Sequence, residues 1–354
     1  MKIFLIVLAV IFVIAVAIIV FINQKSFGKS PSGKRRARME RSWHFKDGAW
    51  QNEVATNMVS GDDNMLKIFW KFLFNTNSDR YPKEPVEAVK TDLNALPRDS
   101  DLMVWFGHSS YLLQLSGKRI LVDPVLVQAS PVPFVNKPFK GSDIYKPEDM
   151  PEIDYLLISH DHWDHLDYWT VKDIKERVHN VIVPLGVGEN FEYWGYPASK
   201  VTDLDWNEKK IFADGFVFHC TPARHFSGRG LTRQLGLWAS FVVEAPDGKK
   251  VFCGGDSGYG PQFKKIGEKF PHMNLAILEN GQYNKNWANI HTMPNELYKE
   301  IADLDAEQYV TVHHGKYSLA MHSWDEPLKN EKLASKESGK EIKSLVIGKV
   351  VGIK

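Results

Sequence analysis

His160, Asp161, His162, Trp163, Asp164 and His165 follow one another without a break, so three imidazoles and two carboxylates fall within six residues. Both group types ligate Zn²⁺, Mn²⁺ or Fe²⁺, and alternate residues on a turn can converge on one point. The run reads as a metal site. Tyr155-Leu-Leu-Ile158 just before it is a short apolar strand. The ligands would then leave the carboxyl end of a strand, where open sheets carry their chemistry. A single strand-end histidine is more often structural than a ligand, but here the placement recurs. His225 follows Phe216-Val-Phe218, Asp256 follows Lys250-Val-Phe-Cys253, and His313 follows Tyr309-Val-Thr-Val312. All can face one edge. The economical arrangement is two divalent metals: His160, His162 and His225 on the first, Asp164, His165 and His313 on the second, and the Asp256 carboxylate bridging. Such pairs sit about 3.5–4 Å apart, lower the pKa of a water between them toward neutrality and clamp both oxygens of an in-line displacement. Zinc is the first expectation, and the same ligands accept manganese or iron.

Positioning these side chains requires strands that end in step. Leu102–Phe106, Tyr111–Leu115, a Ser116-Gly117 turn and Arg119–Val122 ending in Asp123 form one hairpin unit. The plan repeats at Ala239–Glu244, a Pro246-Asp247-Gly248 turn and Lys250–Cys253 leading to Asp256. Further strands are expected at 216–218, 275–278, 309–312 and, last, Leu345-Val-Ile347. Helical patterns fall near 168–178, 186–195, 260–270 and 294–304, and 328–343 reads as a solvated helix or loop. This alternation predicts an α/β sandwich in which helices cover two sheets and two repeated halves meet at one edge.

The chain of 354 residues is 44% hydrophobic, ample for a core, and its 44 basic and 43 acidic residues leave a formal charge of +1. That balance argues against a nucleic-acid partner. Cys220 and Cys253 are too few for a disulfide framework and read as buried thiols. Ile3–Ile22 is a run of twenty apolar residues, enough to cross a hydrocarbon core of about 30 Å as a helix. No small-residue cleavage site follows it, so an uncleaved single-pass anchor is expected. Lys25, Lys29, Lys34, Arg35, Arg36, Arg38 and Arg41 then form a basic collar. The positive-inside rule puts the bulk of the protein in the cytoplasm, with the collar attracting anionic head groups. The amphipathic stretch Met65–Phe74 is expected to pack on the catalytic part rather than lie in the interface. The organisation expected is an anchor at 1–23, a basic juxtamembrane and N-terminal extension at 24–100, and a globular domain carrying the metal site at 101–354.

His160-x-His162-x-Asp164-His165, followed in order by His225, Asp256 and His313, resembles the metallo-β-lactamase superfamily over roughly residues 100–350. Trp105-Phe-Gly-His108, Val122-Asp-Pro124, Gly255-Asp-Ser-Gly-Tyr259, Asn280-Gly-Gln-Tyr283 leading to His291, and Val312-His-His-Gly315 are similar, within it, to the N-acylphosphatidylethanolamine-hydrolysing phospholipase D group and its bacterial relatives. In that group Trp normally follows His313, whereas this chain has His314; the two compete for one ligand position, and His313 is preferred. A Glu in place of His162 would point to the di-iron branch, and the true β-lactamases lack the bridging aspartate.

The resemblance implies an αββα sandwich with an N-terminal transmembrane helix, and hydrolysis of a phosphodiester in an N-acylated phospholipid or similar amphiphile. Asp164 would hold a metal and orient the nucleophile, and His291 would donate to a phosphate oxygen or the leaving alkoxide. His108 and Asp123 are candidates for orienting ligands or bound water, and Arg224 and Tyr259 for contacting an anionic substrate. A lactonase acting on a soluble metabolite is the nearest enzymatic alternative. A non-catalytic, membrane-tethered metal-binding protein is the other, and the oligomeric state is open.

Overall fold

In the computed structural model, which describes residues 1–354 apart from 62, 64–66, 69, 72, 73, 75 and 76, two mixed sheets face each other across an apolar layer. A two-residue hairpin, β1 (Phe45–Lys46) and β2 (Ala49–Trp50), precedes them. The first sheet contains β3 (Leu102–Trp105), β4 (Tyr111–Leu115), β5 (Lys118–Val122), β6 (Ile153–Leu157), β7 (Val178–Pro184) and β8 (Val201–Leu204). The second contains β9 (Lys209–Ile211), β10 (Val217–Thr221), β11 (Ser240–Glu244), β12 (Lys250–Cys253), β13 (Leu275–Glu279) and β14 (Tyr309–Val312), and β15 (Val350–Gly352) returns to the first. The orders are β15-β3-β4-β5-β6-β7-β8 and β14-β13-β12-β11-β10-β9.

Burial follows the period of two that a strand imposes. On β4, Tyr111, Leu113 and Leu115 enter the layer between the sheets, while Leu112 joins the outer layer with Val171, Ile174 and Phe191. On β12, Val251 and Cys253 point inward, and Phe252 packs outward on Phe263, Ile266, Leu297 and Ile301 of the helices Pro261–Lys269 and Leu297–Leu304. Helices therefore cover both outer faces, the αββα arrangement. The repeated plan is visible in the pairings. The β4–β5 and β11–β12 hairpins are antiparallel, and each second strand hands on to a parallel neighbour, β6 or β13.

Two expectations change. The last strand is Val350–Gly352, paired antiparallel with β3, and not 345–347. Leu345 and Ile347 are buried in the central core, and Ile347 makes only an isolated bridge to Ala88, so their apolarity serves packing. Strands β7, β8 and β9, absent from the sequence reading, extend both sheets. The stretch 328–343 begins inside a helix, Glu326–Ser338, which buries Asn330, Glu331 and Ala334. Cys220 and Cys253 are free and buried.

Helix Lys2–Ile22 is long and apolar enough to cross a membrane, and none of its residues is buried. The basic collar does not stand free of the globular part. Arg35 pairs with Glu189 at 2.8 Å, Glu192 at 2.6 Å and Asp203 at 3.0 Å. Lys29 lies 3.3 Å from Glu189, Arg38 pairs with Glu208, and Arg36 pairs with Glu40. Charges expected to face lipid thus hold helix Gly33–Met39 against the sandwich, with Met39 and Trp50 in its core; Lys25, Lys34 and Arg41 remain exposed. Of Met65–Phe74, residues 65, 66, 69, 72 and 73 lie outside the described residues, and Ile68 is buried.

Replacing Arg35 would leave Glu189 and Asp203, each about nine-tenths covered, without their main cation. Arg35→Ala is expected to destabilise the purified protein by on the order of 2–3 kcal/mol in urea denaturation. A loss below about 0.5 kcal/mol would make these pairs no more than surface contacts.

Candidate metal centre

The carboxyl ends of β5, β6, β10, β12, β13 and β14 converge on one cluster of acids and imidazoles. After β6 the chain turns sharply, with the His165 and Leu166 amides donating to the His162 carbonyl at 3.1 and 2.8 Å. That turn aims His160, His162 and His165 at one region. His160 Nε2 lies 2.8 Å and His225 Nε2 3.2 Å from His162 Nδ1, and ligand atoms of all three lie within 4.8 Å of one another. A second set of that compactness contains His108, Asp164, His165 and His313. Asp256 stands between them: its Oδ1 is 3.1 Å from His165 Nε2 and 3.2 Å from His313 Nδ1, and its Oδ2 is 3.7 Å from His225 Nε2.

The backbone is bent to achieve this. His108, Asp123 and His313 have φ of 52°, 41° and 70°, a region non-glycine residues seldom occupy. Reciprocal bonds hold two of them: the His108 amide donates to the His314 carbonyl at 2.8 Å, and the His313 amide to the His108 carbonyl at 3.0 Å. These contacts join the end of β3 in one sheet to the end of β14 in the other. Gly255 has φ +60°, and a Cβ there would sit 2.7 Å from the Ser159 Cβ, so only glycine lets the β12 end approach the His160 loop this closely.

Surrounding groups fix which ring nitrogens face inward. Asp123 accepts from the Ser159 amide at 2.7 Å and from His165 Nδ1 at 2.8 Å, which leaves His165 Nε2 directed at Asp256. The Ile290 carbonyl accepts from His225 Nδ1 at 2.7 Å and leaves Nε2 toward His162. His108 Nε2 contacts Asp164 Oδ2 at 2.9 Å, and the Ser109 hydroxyl contacts His313 Nδ1 at 2.8 Å.

Electrostatics describe a pocket short of positive charge. Burial, reinforced by neighbouring imidazoles, pushes His160, His225 and His313 well below the usual histidine range, and burial takes His162 down to about 3. These rings are neutral and offer lone pairs. Burial raises Asp256, and burial with the nearby Asp256 carboxylate raises Glu279 well above its range. His165 goes the other way: burial would lower it, but Asp256, Asp164 and Asp123 raise it well above its ordinary value. The buried His165 Nε2 and Asp256 Oδ1 face each other yet lack any hydrogen bond. Orphaned ligand atoms, neutral imidazoles and surplus carboxylates are what a pair of divalent cations needs. The residues fit that group.

The other candidates separate clearly. His291 lies at the cluster, with Nδ1 bonded to Glu279 and 4.0 Å from Asp256 Oδ2. His314 turns away, with Nε2 3.1 Å from the Thr311 hydroxyl and its ring against Trp105. Arg224 and Tyr259 do not reach the cleft. Arg224 is held by the Thr56 hydroxyl and the Tyr259 carbonyl, and the Tyr259 hydroxyl donates to Asp303 at 2.9 Å. The contact with an anionic substrate expected of both is corrected: in this structure their side chains are engaged by these partners and do not line the cavity over the cluster. Glu279, which the sequence reading missed, belongs to a set with Asp256, His291 and His313. Its signal is present in the sequence: the apolar run of β13 ends in Glu279, much as Asp123 follows directly on the apolar run of β5. Above the cluster lies a cavity of about 260 Å³ walled by Met58, Val59, Ile68, Phe226, Trp287, Ile290 and Leu319, with Arg233 at its edge.

Residues 118–314 match the family model described as the beta-lactamase superfamily domain. An uncharacterized protein of Mycobacterium tuberculosis is 35% identical over 300 residues, covering 83% of this chain and 80% of that one. The N-acyl-phosphatidylethanolamine-hydrolyzing phospholipase D 1 of Caenorhabditis elegans is 30% identical over 296 residues, covering 76% and 81%. Among solved structures, the metallo hydrolase Igni18 of Ignicoccus hospitalis superposes with a TM-score of 0.56 at 17% identity, over 72% of this chain and 99% of that one, a likeness of fold.

Because Asp123 fixes the His165 ring, Asp123→Asn is expected to weaken Zn²⁺ binding about 10–100-fold in competition with a chromophoric chelator. Unchanged affinity would mean that packing alone orients His165.

Proposed function

This chain belongs to the beta-lactamase superfamily, and from that premise we propose that it is a membrane-anchored, binuclear metal-dependent phosphodiesterase of the phospholipase D type, acting on N-acylphosphatidylethanolamine or a similar lipid. The observation that carries the reading is the buried His/Asp cluster lying directly beneath an apolar-walled cleft. His160, His162 and His225 would hold one cation, Asp164, His165 and His313 the other, with Asp256 shared. Two divalent cations, zinc first, would supply an acidified water at neutral pH and charge neutralisation on the phosphoryl oxygens. The 30% identity to a phospholipase that hydrolyses N-acyl-phosphatidylethanolamine supports the substrate class.

The chain's own groups have distinct tasks. Burial raises the Asp164 carboxyl, but His165 and His108 more than offset this and hold it far below its ordinary range, an acceptor at any working pH. It can therefore orient a nucleophilic water while remaining ionised. His108, bonded to Asp164, keeps that carboxylate from rotating. Burial lowers His291 and raises Glu279, so the proton between them rests on the Glu279 carboxyl, which donates to Nδ1; the neutral ring then carries its own proton on Nε2 and can pass it to the leaving alkoxide as the Glu279 proton moves to Nδ1. Met58, Ile68, Trp287 and Leu319 offer acyl chains a surface a small polar lactone would not use, and Arg233 at the rim offers a cation to a phosphate. Helix Lys2–Ile22 would anchor the protein, with its catalytic part on the cytoplasmic side.

Purified, metal-loaded protein in mixed micelles is expected to release N-acylethanolamine from N-acylphosphatidylethanolamine. Release should stop on chelation and in Asp256→Ala, and His291→Gln should lower kcat by about 10²–10⁴-fold. A protein that carries two metals and cleaves a lactone or generic diester but not this lipid would retain the hydrolase and reject the phospholipase. A protein that binds metal yet turns over none of them would be a metal-binding protein only.

A further inference from the structure

The cleft over the metal cluster shares His162, Asp164, Phe226, Arg233 and Leu319 with a neighbouring cavity, which lies between it and the end of the apolar N-terminal helix. This neighbouring cavity, of about 580 Å³, is also lined by Trp163, Arg229 and Gly230. Beyond it a trough of about 730 Å³ shares Gly228, Arg229 and Gly230 and reaches Ile22, Phe27 and Leu231. The loop 228–234 is thus a wall common to the trough and the approach to the metals.

That loop has an apolar tip facing outward. Leu231 is 82% exposed, and Phe134, on the 131–136 loop that lines the same middle cavity, is 73% exposed. Ile22, the last residue of the apolar helix, lines the trough together with Leu231, which puts Leu231 on the same trough as the point where that helix ends. Aromatic rings collect there as they do at a membrane interface: Phe27 lies 5.2 Å from Phe21 and 5.1 Å from Trp163, ring centre to ring centre.

The helix exit is not a loose tether. Arg229 is buried and donates Nε and Nη2 to the Ser26 carbonyl at 3.0 and 2.9 Å. Its Nη1 donates to the Asp161 carbonyl at 3.0 Å, inside the metal-site loop, and its guanidinium lies 4.0 Å from the centre of the Trp163 ring. Trp194 Nε1 donates to the Lys25 carbonyl at 2.7 Å. One arginine therefore bolts the segment leaving the apolar helix to the loop that carries His160, His162 and His165, which fixes the direction in which the trough opens.

We propose that loop 228–234, with Leu231 at its tip, is seated in the bilayer interface, and that the trough beside Ile22 is the path by which a lipid passes from the bilayer into the metal cleft. This rests on the membrane-anchored lipid hydrolase reading. The bilayer is the occupant because a helix long and apolar enough to cross it ends at the same trough as the exposed leucine.

The test uses the full chain carrying Leu231→Cys, labelled with a nitrobenzoxadiazole dye and reconstituted into phosphatidylcholine vesicles containing a doxyl-labelled lipid. The native Cys220 and Cys253 are buried, and Lys264→Cys on the exposed face of helix Pro261–Lys269 serves as the comparison. Blue-shifted, lipid-quenched emission at 231 and water-like, unquenched emission at 264 are expected. Matching water-like emission at both positions would overturn the proposal and assign the leucine to water or a protein partner. In activity, Leu231→Asp should lower turnover of vesicle-borne N-acylphosphatidylethanolamine about tenfold more than turnover of a short-chain, water-soluble analogue. Equal losses on both would also overturn it. Absence of lipid turnover in the unsubstituted protein would count against the phospholipase reading, while the quenching result would still decide the membrane seat.

Discussion

Burial of Asp123, Asp256 and Glu279, with the partly buried Asp164 beside them, is the constraint on which the rest of the site depends. Carboxylates removed from water repel each other and lose hydration, so such a group persists only where cations or donors offset both costs. Here Asp123 is satisfied by Ser159 and His165, and Asp164 by His108. Asp256 keeps one oxygen without a hydrogen bond, opposite an equally orphaned imidazole nitrogen. The unmet demand for positive charge is localised at one point, and that is where the chemistry belongs.

Delivering so many side chains to one point bends the backbone, and the sandwich absorbs the strain. His108, Asp123 and His313 each occupy a positive-φ conformation of the kind that costs on the order of 1–3 kcal/mol. The antiparallel bridge between His108 and His314 makes two of these residues hold each other. It also ties the two sheets together at the edge where the ligands emerge. Stability of the fold and geometry of the site are therefore not separable there: loosening the β3–β14 contact would release the candidate ligand His313 and the Asp164 partner His108 together.

The N-terminal segment enters the same network from outside. Arg35 pairs with acids of helix Gly188–Tyr193 and of β8, and Arg229 grips the Ser26 carbonyl. Lys29, Arg35 and Arg38, which in sequence look like part of a solvated basic tail, are structural cations of the hydrolase part. Buried acids 150 or more residues away set their role, and a local charge run cannot reveal such partners.

Sequence by itself determined the turn rich in His and Asp, because these ligand-type residues fall within one span of six. It also determined the strand-end placement of His225, Asp256 and His313, because apolar runs broken by a polar ligand are a local pattern, and the αββα class, because period-two and helical stretches alternate. Tertiary structure alone decided which of His313 and His314 faces the cluster, since a φ of 70° at His313 turns its neighbour toward Thr311. It alone sent Arg224 and Tyr259 away from the cleft and brought Glu279 in. It chose Val350–Gly352 over the more apolar 345–347 as the edge strand, because pairing needs a free neighbour on β3, whereas Leu345 and Ile347 are needed in the core. The division has one physical reason: spacing and polarity fix what a segment is, but the direction of a side chain depends on partners that only the folded chain brings near.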